Sequence, residues 1–100
     1  MDTIDQPVPE PGPALPLPAV LDMRAAAPLA AELLERRGRD IELDASAVQR
    51  LGGQCLQVLL AARAAWNADG CGFRIASPSS GFTEGLVLLG APAFADPSRA

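Results

Sequence analysis

Three short stretches of this chain read as extended strands, and each is followed by one whose apolar residues recur at helical spacing. This alternation restricts the fold more than any other feature of the sequence. Leu15-Pro-Leu-Pro-Ala-Val-Leu21 puts leucines on one side and prolines on the other, and because proline cannot donate to a ladder it must be an edge strand. Pro28 suits the first turn of a helix that carries Leu29, Ala30, Leu33 and Leu34 inward. Arg36, Arg37 and Gly38 supply a cationic last turn and a C-cap, so a helix is predicted over 26–37. Asp40-Ile-Glu-Leu-Asp44 alternates as a half-buried strand, and Asp44-Ala-Ser46 turns it. Gly52-Gly53 opens a second helix with Leu56, Leu59, Leu60, Ala62, Ala64 and Trp66 on a wide apolar surface and Gln54, Gln57, Arg63 and Asn67 outside. Asp69-Gly70 stops it, and Cys71-Gly-Phe-Arg-Ile-Ala76 is a third strand with Phe73 and Ile75 on one face. Pro78-Ser79-Ser80 starts a third helix with a serine N-cap, Glu84 in its first turn and Phe82, Leu86 and Leu89 inward. Gly90 and Pro92 end it, and Phe94 opens a short last strand. The order strand, helix, strand, helix, strand, helix implies right-handed crossovers and an α/β fold with a mainly parallel sheet.

Chemistry is limited by what is missing. With no histidine and no tyrosine, the chain lacks the usual general base at neutral pH, any Ser/His or Cys/His nucleophile pair and every histidine-containing metal site. Twelve acids against eight arginines, with no lysine, give a net charge of −4, which argues against a nucleic-acid groove. Cys55 and Cys71 have no CxxC spacing, so neither zinc nor a disulfide framework is indicated and both read as reduced thiols. The N-terminus is acidic and proline-rich where a signal peptide is basic and then apolar, and no apolar run is long enough to span a bilayer. The expected location is the cytoplasm, with no catalytic residues, no cofactor and no metal.

Charge and proline divide the chain unevenly. Residues 1–18 hold Asp2, Asp5, Glu10 and no base, a net −3, while 19–100 carry all eight arginines and a net −1. Six of the ten prolines fall at positions 7 to 18, which excludes helix and predicts a solvated polyproline-like leader over 1–13 before a domain spanning 14–100. A PxxP ligand at Pro13 and Pro16 has no flanking base, so a tether is the plainer reading.

Several residues admit a chemical role and a structural one. Gly52-Gly53 lacks the further glycines, lysine and hydroxyl of a P-loop, which favours a helix N-cap over an anion cradle. Asp22 and Asp44 could form a carboxylate pair, but without a base or metal beside them capping and turn roles are better supported. Cys55 reads as a small helix-start residue packed near a partner surface, its pKa open to lowering by the helix N-terminus. Trp66 reads as a filler between helix and sheet, and Ser46, Ser79 and Ser80 as caps or turn residues.

The wording of the middle is more specific than the pattern. The run Ile41-Glu-Leu-Asp44-Ala-Ser46-Ala-Val48-Gln-Arg-Leu51-Gly-Gly-Gln54-Cys-Leu56-Gln-Val58-Leu59-Leu60-Ala-Ala62 resembles, without a gap, the STAS domains of anti-sigma-factor antagonists. Leu21-Asp22, Ile75-Ala-Ser77-Pro78 and Leu88-Leu89-Gly90 match further family positions in the right order, so the likeness covers about 15–95. It implies a sheet of about four strands packed with three to four helices, with the usual N-terminal hairpin reduced to one proline-interrupted strand. It also aligns the family's Asp-Ser-Ser-Gly with Gly52-Gly53-Gln54-Cys55, which puts a non-phosphorylatable Gln54 where the family carries its phosphoserine. The function implied is that of a non-catalytic regulator, binding a partner through Asp22, Met23, Arg24, Gly52, Gly53, Gln54, Cys55, Gln57 and Val58. An anti-sigma factor with a histidine-kinase-like ATPase fold is the partner the likeness implies. A chemotaxis histidine kinase, or the ATPase of a lipid-transporting ABC system, is the alternative, and the oligomeric state stays open.

Overall fold

A computed structural model describes residues 14–95; the expected leader over 1–13 and the last five residues lie outside the described part. The strands are β1 (Leu15–Pro16), β2 (Val20–Leu21), β3 (Ile41–Asp44), β4 (Arg50–Leu51) and β5 (Phe73–Ala76). The helices are α1 (Met23–Glu35), α2 (Gly53–Ala68) and α3 (Ser80–Leu88), followed by a short 3-10 helix, Pro92–Ala95. All strand pairs are parallel, as the alternation with helices requires. β1, β3 and β5 form one sheet in that order, with Leu15 opposite Leu43 and Leu43 opposite Ile75, while β2 and β4 pair separately, with Val20 opposite Arg50 and Leu21 opposite Leu51.

The expected edge strand over 15–21 is therefore divided between two sheets, and the prolines account for the break. Pro16 sits on the edge strand, the Leu17 N–H reaches the Asp44 carbonyl at 2.9 Å, and Pro18 has no donor to continue that ladder. The Ala19 carbonyl then accepts the N–H groups of Gln49 and Arg50, which brings the chain alongside β4. The sequence reading missed β4 because two residues carry no period.

α1 begins three residues earlier than predicted. The Asp22 carboxylate accepts the N–H groups of Arg24 at 3.0 Å and Ala25 at 3.3 Å, so Asp22 is the N-cap and Pro28 lies inside the helix instead of in its first turn. The helix ends at Glu35, and Gly38 takes the left-handed φ of 98° that reverses the chain. Leu29 and Leu33 are buried, whereas Leu34, expected inward, lies about 100° round the helix from Leu33 and is exposed.

α2 is the central helix. It packs beside α1, and Leu56, Leu59, Ala62 and Trp66 are buried on it; Leu60 is half-buried and Ala64 is exposed, narrower than the predicted surface. α3 starts at the Ser79 N-cap, whose hydroxyl accepts the Phe82 N–H at 3.0 Å, so Glu84 falls beyond the first turn. Phe82 and Leu86 are buried, but Leu89 is partly exposed, and Phe94 lies in the 3-10 helix, its ring edge against Phe73, instead of a strand. Among the described residues the core is wholly apolar.

α3 lies unusually close to the strand beside it. A Cβ at Gly81 would stand 2.5 Å from the Gln49 carbonyl oxygen, and one at Gly85 would stand 2.9 Å from Leu51 Cβ. By helix propensity alone Gly81→Ala would stabilise by about 1 kcal/mol, but the blocking atoms are backbone and cannot turn aside. Gly81→Ala is expected instead to destabilise by about 1–3 kcal/mol in a urea titration. A gain in stability would show that α3 does not pack this tightly.

Candidate functional site

Two helices begin side by side at one end of the molecule. β4 ends at Leu51, and the Gly52 N–H donates to the Leu21 carbonyl at 2.8 Å. A side chain at Gly52 would place a Cβ 3.2 Å from that same oxygen and 3.9 Å from Asp22 Cα, so glycine allows the start of α2 to meet the β2–α1 turn. The Cys55 thiol donates to the Asp22 carbonyl at 3.2 Å, a second tie between the segments. Residues Asp22–Arg24 and Gly52–Gln54, proposed from sequence as one surface, are in fact neighbours.

The two helix starts differ in charge. Asp22 neutralises that of α1, while the N-cap of α2 is Gly52, without a side chain to cap it and with no acid in the first turn. The N-terminal dipole of α2 is left without a capping side chain, and Arg24 and Arg50 are exposed, as is the carboxylate residue Asp22.

The nine predicted partner residues sort by burial. Asp22, Met23, Arg24, Gly53, Gln54 and Gln57 are exposed, with Met23 at 69%; Gly52 and Val58 are half-buried. Cys55 does not belong with them. It is fully buried, and it holds the helix start from beneath. Burial, and after it the charge of Asp22, push its thiol above the ordinary pKa, the reverse of lowering by the helix dipole. A raised pKa means stability is complete below the thiol's ordinary pKa and falls as pH climbs through the raised value. Ellman's reagent is expected to titrate Cys71 quickly in the folded protein and Cys55 only after denaturation. Two fast thiols would place Cys55 at the surface.

Of the other candidates, Asp44 accepts the Ser46 N–H at 2.9 Å. Hydrogen bonds from the Ser46 side chain and backbone hold its carboxyl below the usual range, which is a turn role. Trp66 is buried between helix and sheet, donating its indole N–H to the Arg39 carbonyl at 2.7 Å. Among the described residues no three acids or cysteines cluster as metal ligands, and no helix is long and apolar enough to cross a membrane.

The sequence reading missed the apolar part of this corner. Val20, Val87, Leu88 and Leu89 are exposed, Leu88 at 85%, and Leu89 Cδ2 lies 4.0 Å from the position of a Cβ on Gly53. A signal was there: three consecutive apolar residues, Val87-Leu88-Leu89, span 200° of a helix and cannot all face one core. Leu89, just past the end of α3, thus lies beside Gly53 at the start of α2.

The comparisons with known proteins agree with this architecture. No curated protein and no solved structure matches the chain. A family model described as "Mlab, STAS domain" matches residues 9–93, nearly all of the part that folds into the strands and helices above. With its parallel strands, its helices in the expected order and this match along most of its length, the chain belongs to the STAS domain family.

Proposed function

We propose that this chain is a non-catalytic regulator of the anti-sigma-factor antagonist type, docking onto a bacterial signalling partner of ATPase or kinase fold through the start of α2. STAS domains are binding modules, and one observation supports this use of this one. Gln54 and Gly53 stand exposed at an uncapped helix start, flanked by the exposed side chains of Met23 and Leu89. Exposed apolar side chains next to polar ones on one patch are what interaction surfaces present to solvent. Asp22, Arg24, Gln57 and, at the rim, Val58 complete the surface; Cys55 supports it from inside.

A second reading has its own observation. The first two turns of α2, Gly53 to Leu60, contain no hydroxyl, so nothing at the proposed interface accepts a phosphate. A subunit that caps the ATPase of an ABC transporter and never leaves it needs no such switch. Both readings use the same face and differ in lifetime: a regulator exchanges, a subunit co-purifies in fixed ratio.

The test begins by capturing the partner from native lysate and identifying it by mass spectrometry. Calorimetric titration of that purified partner then compares Gln54→Glu and Gln54→Asp with the parent, with circular dichroism as the folding control. An acid at a helix start is favourable to the isolated domain, so the variants stay folded. Binding is expected to weaken at least about tenfold, roughly 1.4 kcal/mol. Acidic variants that bind as tightly as the parent would place the interface elsewhere.

A further inference from the structure

We propose that the outer edge of β5 takes up an extended segment of a partner protein as an added antiparallel strand, one that carries an acidic residue between two apolar ones. This inference does not depend on the docking face at the start of α2.

The backbone marks the site. In the order β1-β3-β5, β5 has a neighbour on one side only among the described residues. The Ile41 N–H donates to the Gly72 carbonyl and the Ala45 N–H to the Ala76 carbonyl, both at 2.9 Å, so Gly72, Arg74 and Ala76 turn their backbone groups toward β3. Direction alternates along a strand, and the N–H and C=O groups of Phe73 and Ile75 therefore point away from β3. Among the described residues nothing bonds these four groups.

The opposite edge of the sheet is guarded. The Leu17 N–H reaches the Asp44 carbonyl, so by the same alternation Leu15 and Leu17 face β3 and Pro16 faces outward, with no N–H to offer. β5 has no proline, and its one charged residue is Arg74.

Side chains set what fits. On the inner face Ile75 is buried and Phe73 half-buried, its ring centroid 5.9 Å from that of Trp66 and 6.3 Å from that of Phe94. On the outer face Arg74 is exposed, with Glu42 of β3 at 3.5 Å on one side. A strand pairing with Phe73 and Ile75 sets two side chains on the inner face and one opposite Arg74. Apolar residues at the first two positions extend the aromatic cluster, and an acid at the third gives the guanidinium a carboxylate on its open side. A second copy of the chain fits poorly. The antiparallel register that uses all four groups would bring two Arg74 side chains directly opposite each other, which like charge disfavours. The segment read here is short, because the Cys71 N–H is already bonded to the Trp66 carbonyl and Ser77, at a left-handed φ of 52°, ends the strand.

The full chain tests this by amide NMR. Before any peptide is added, the Phe73 and Ile75 amides are expected to exchange with deuterium at least about tenfold faster than those of Arg74 and Ala76. Equal protection of all four would mean that the edge is covered already, and overturns the proposal. The probe is the capped peptide Ser-Thr-Val-Glu-Val-Thr-Ser. It should shift the Phe73 and Ile75 amides downfield as they gain acceptors, and slow their exchange, with little change at Arg74 and Ala76. Methylating the two valine nitrogens of the peptide should abolish the shifts. Replacing its glutamate by lysine should weaken binding at least about threefold, and Arg74→Glu should reverse the preference between the two peptides. The peptide variants act on the unaltered chain, so they decide the matter even if Arg74→Glu does not fold. Binding that survives the methyl groups, or shifts centred on Met23, Gly53 and Gln54, overturn the proposal. So do Phe73 and Ile75 shifts that grow with protein concentration in the absence of peptide, which would assign the edge to a second copy.

Discussion

Trp66→Ala is expected to lower the unfolding free energy by about 3–5 kcal/mol, a large share of the stability of a domain this size. The side chain is 1% exposed, its ring edge meets Phe73 at a centroid distance of 5.9 Å, and the Arg37 guanidinium lies 5.8 Å from its centroid. Removing it opens a cavity between α2 and β5 and leaves the Arg39 carbonyl without its indole donor. Trp66→Phe separates the two effects: it keeps most of the volume and loses the hydrogen bond, at about 1–3 kcal/mol. Urea unfolding followed by circular dichroism measures both. A loss below about 1 kcal/mol for the alanine variant would mean that α2 does not pack on the sheet through this residue.

Leu59→Ala is expected to cost about 2–5 kcal/mol, and Leu60→Ala less than half as much. The apolar width of α2 predicts equal burial for these neighbours, but Leu59 is fully enclosed and Leu60 only half-buried. Adjacent residues on a helix point 100° apart, so a helix packed on one side cannot enclose both equally. Thermal and urea unfolding of the two variants checks the difference. Equal losses would restore the wider buried face, and no loss at Leu59 would reverse the assignment of the helix's inner side.

The candidate site was legible in part. Asp22 and Gly52 stand out because caps and glycine turns are local chemistry, readable from a few neighbouring residues, whereas Gln54 stands out only through the family resemblance. That Asp22–Arg24 and Gly52–Gln54 form one surface came from the family resemblance, since nothing local joins positions 30 residues apart. The geometric reason is parallel pairing of β2 with β4, which ends both strands at the same level and starts both helices there. Leu89 is expected in the core because its spacing from Leu86 fits, yet α3 packs against β4 through Gly85 on Leu51, and Leu89 beyond that contact is left exposed.

By itself the sequence determined the alternation of strand and helix, the parallel sense of the strands, a serine N-cap within Ser79-Ser80, and the turns at Asp44 and Gly70. Each of these depends on a period or on the backbone preference of one residue. Only the tertiary structure decided how the proline-broken first strand divides between two sheets, that Arg50–Leu51 is a strand, that Cys55 is buried and Leu34 is not, and how closely α3 approaches Gln49. Those outcomes follow from which backbone donors find acceptors and which side of each helix meets another element. Both are properties of the packed chain and of no segment alone.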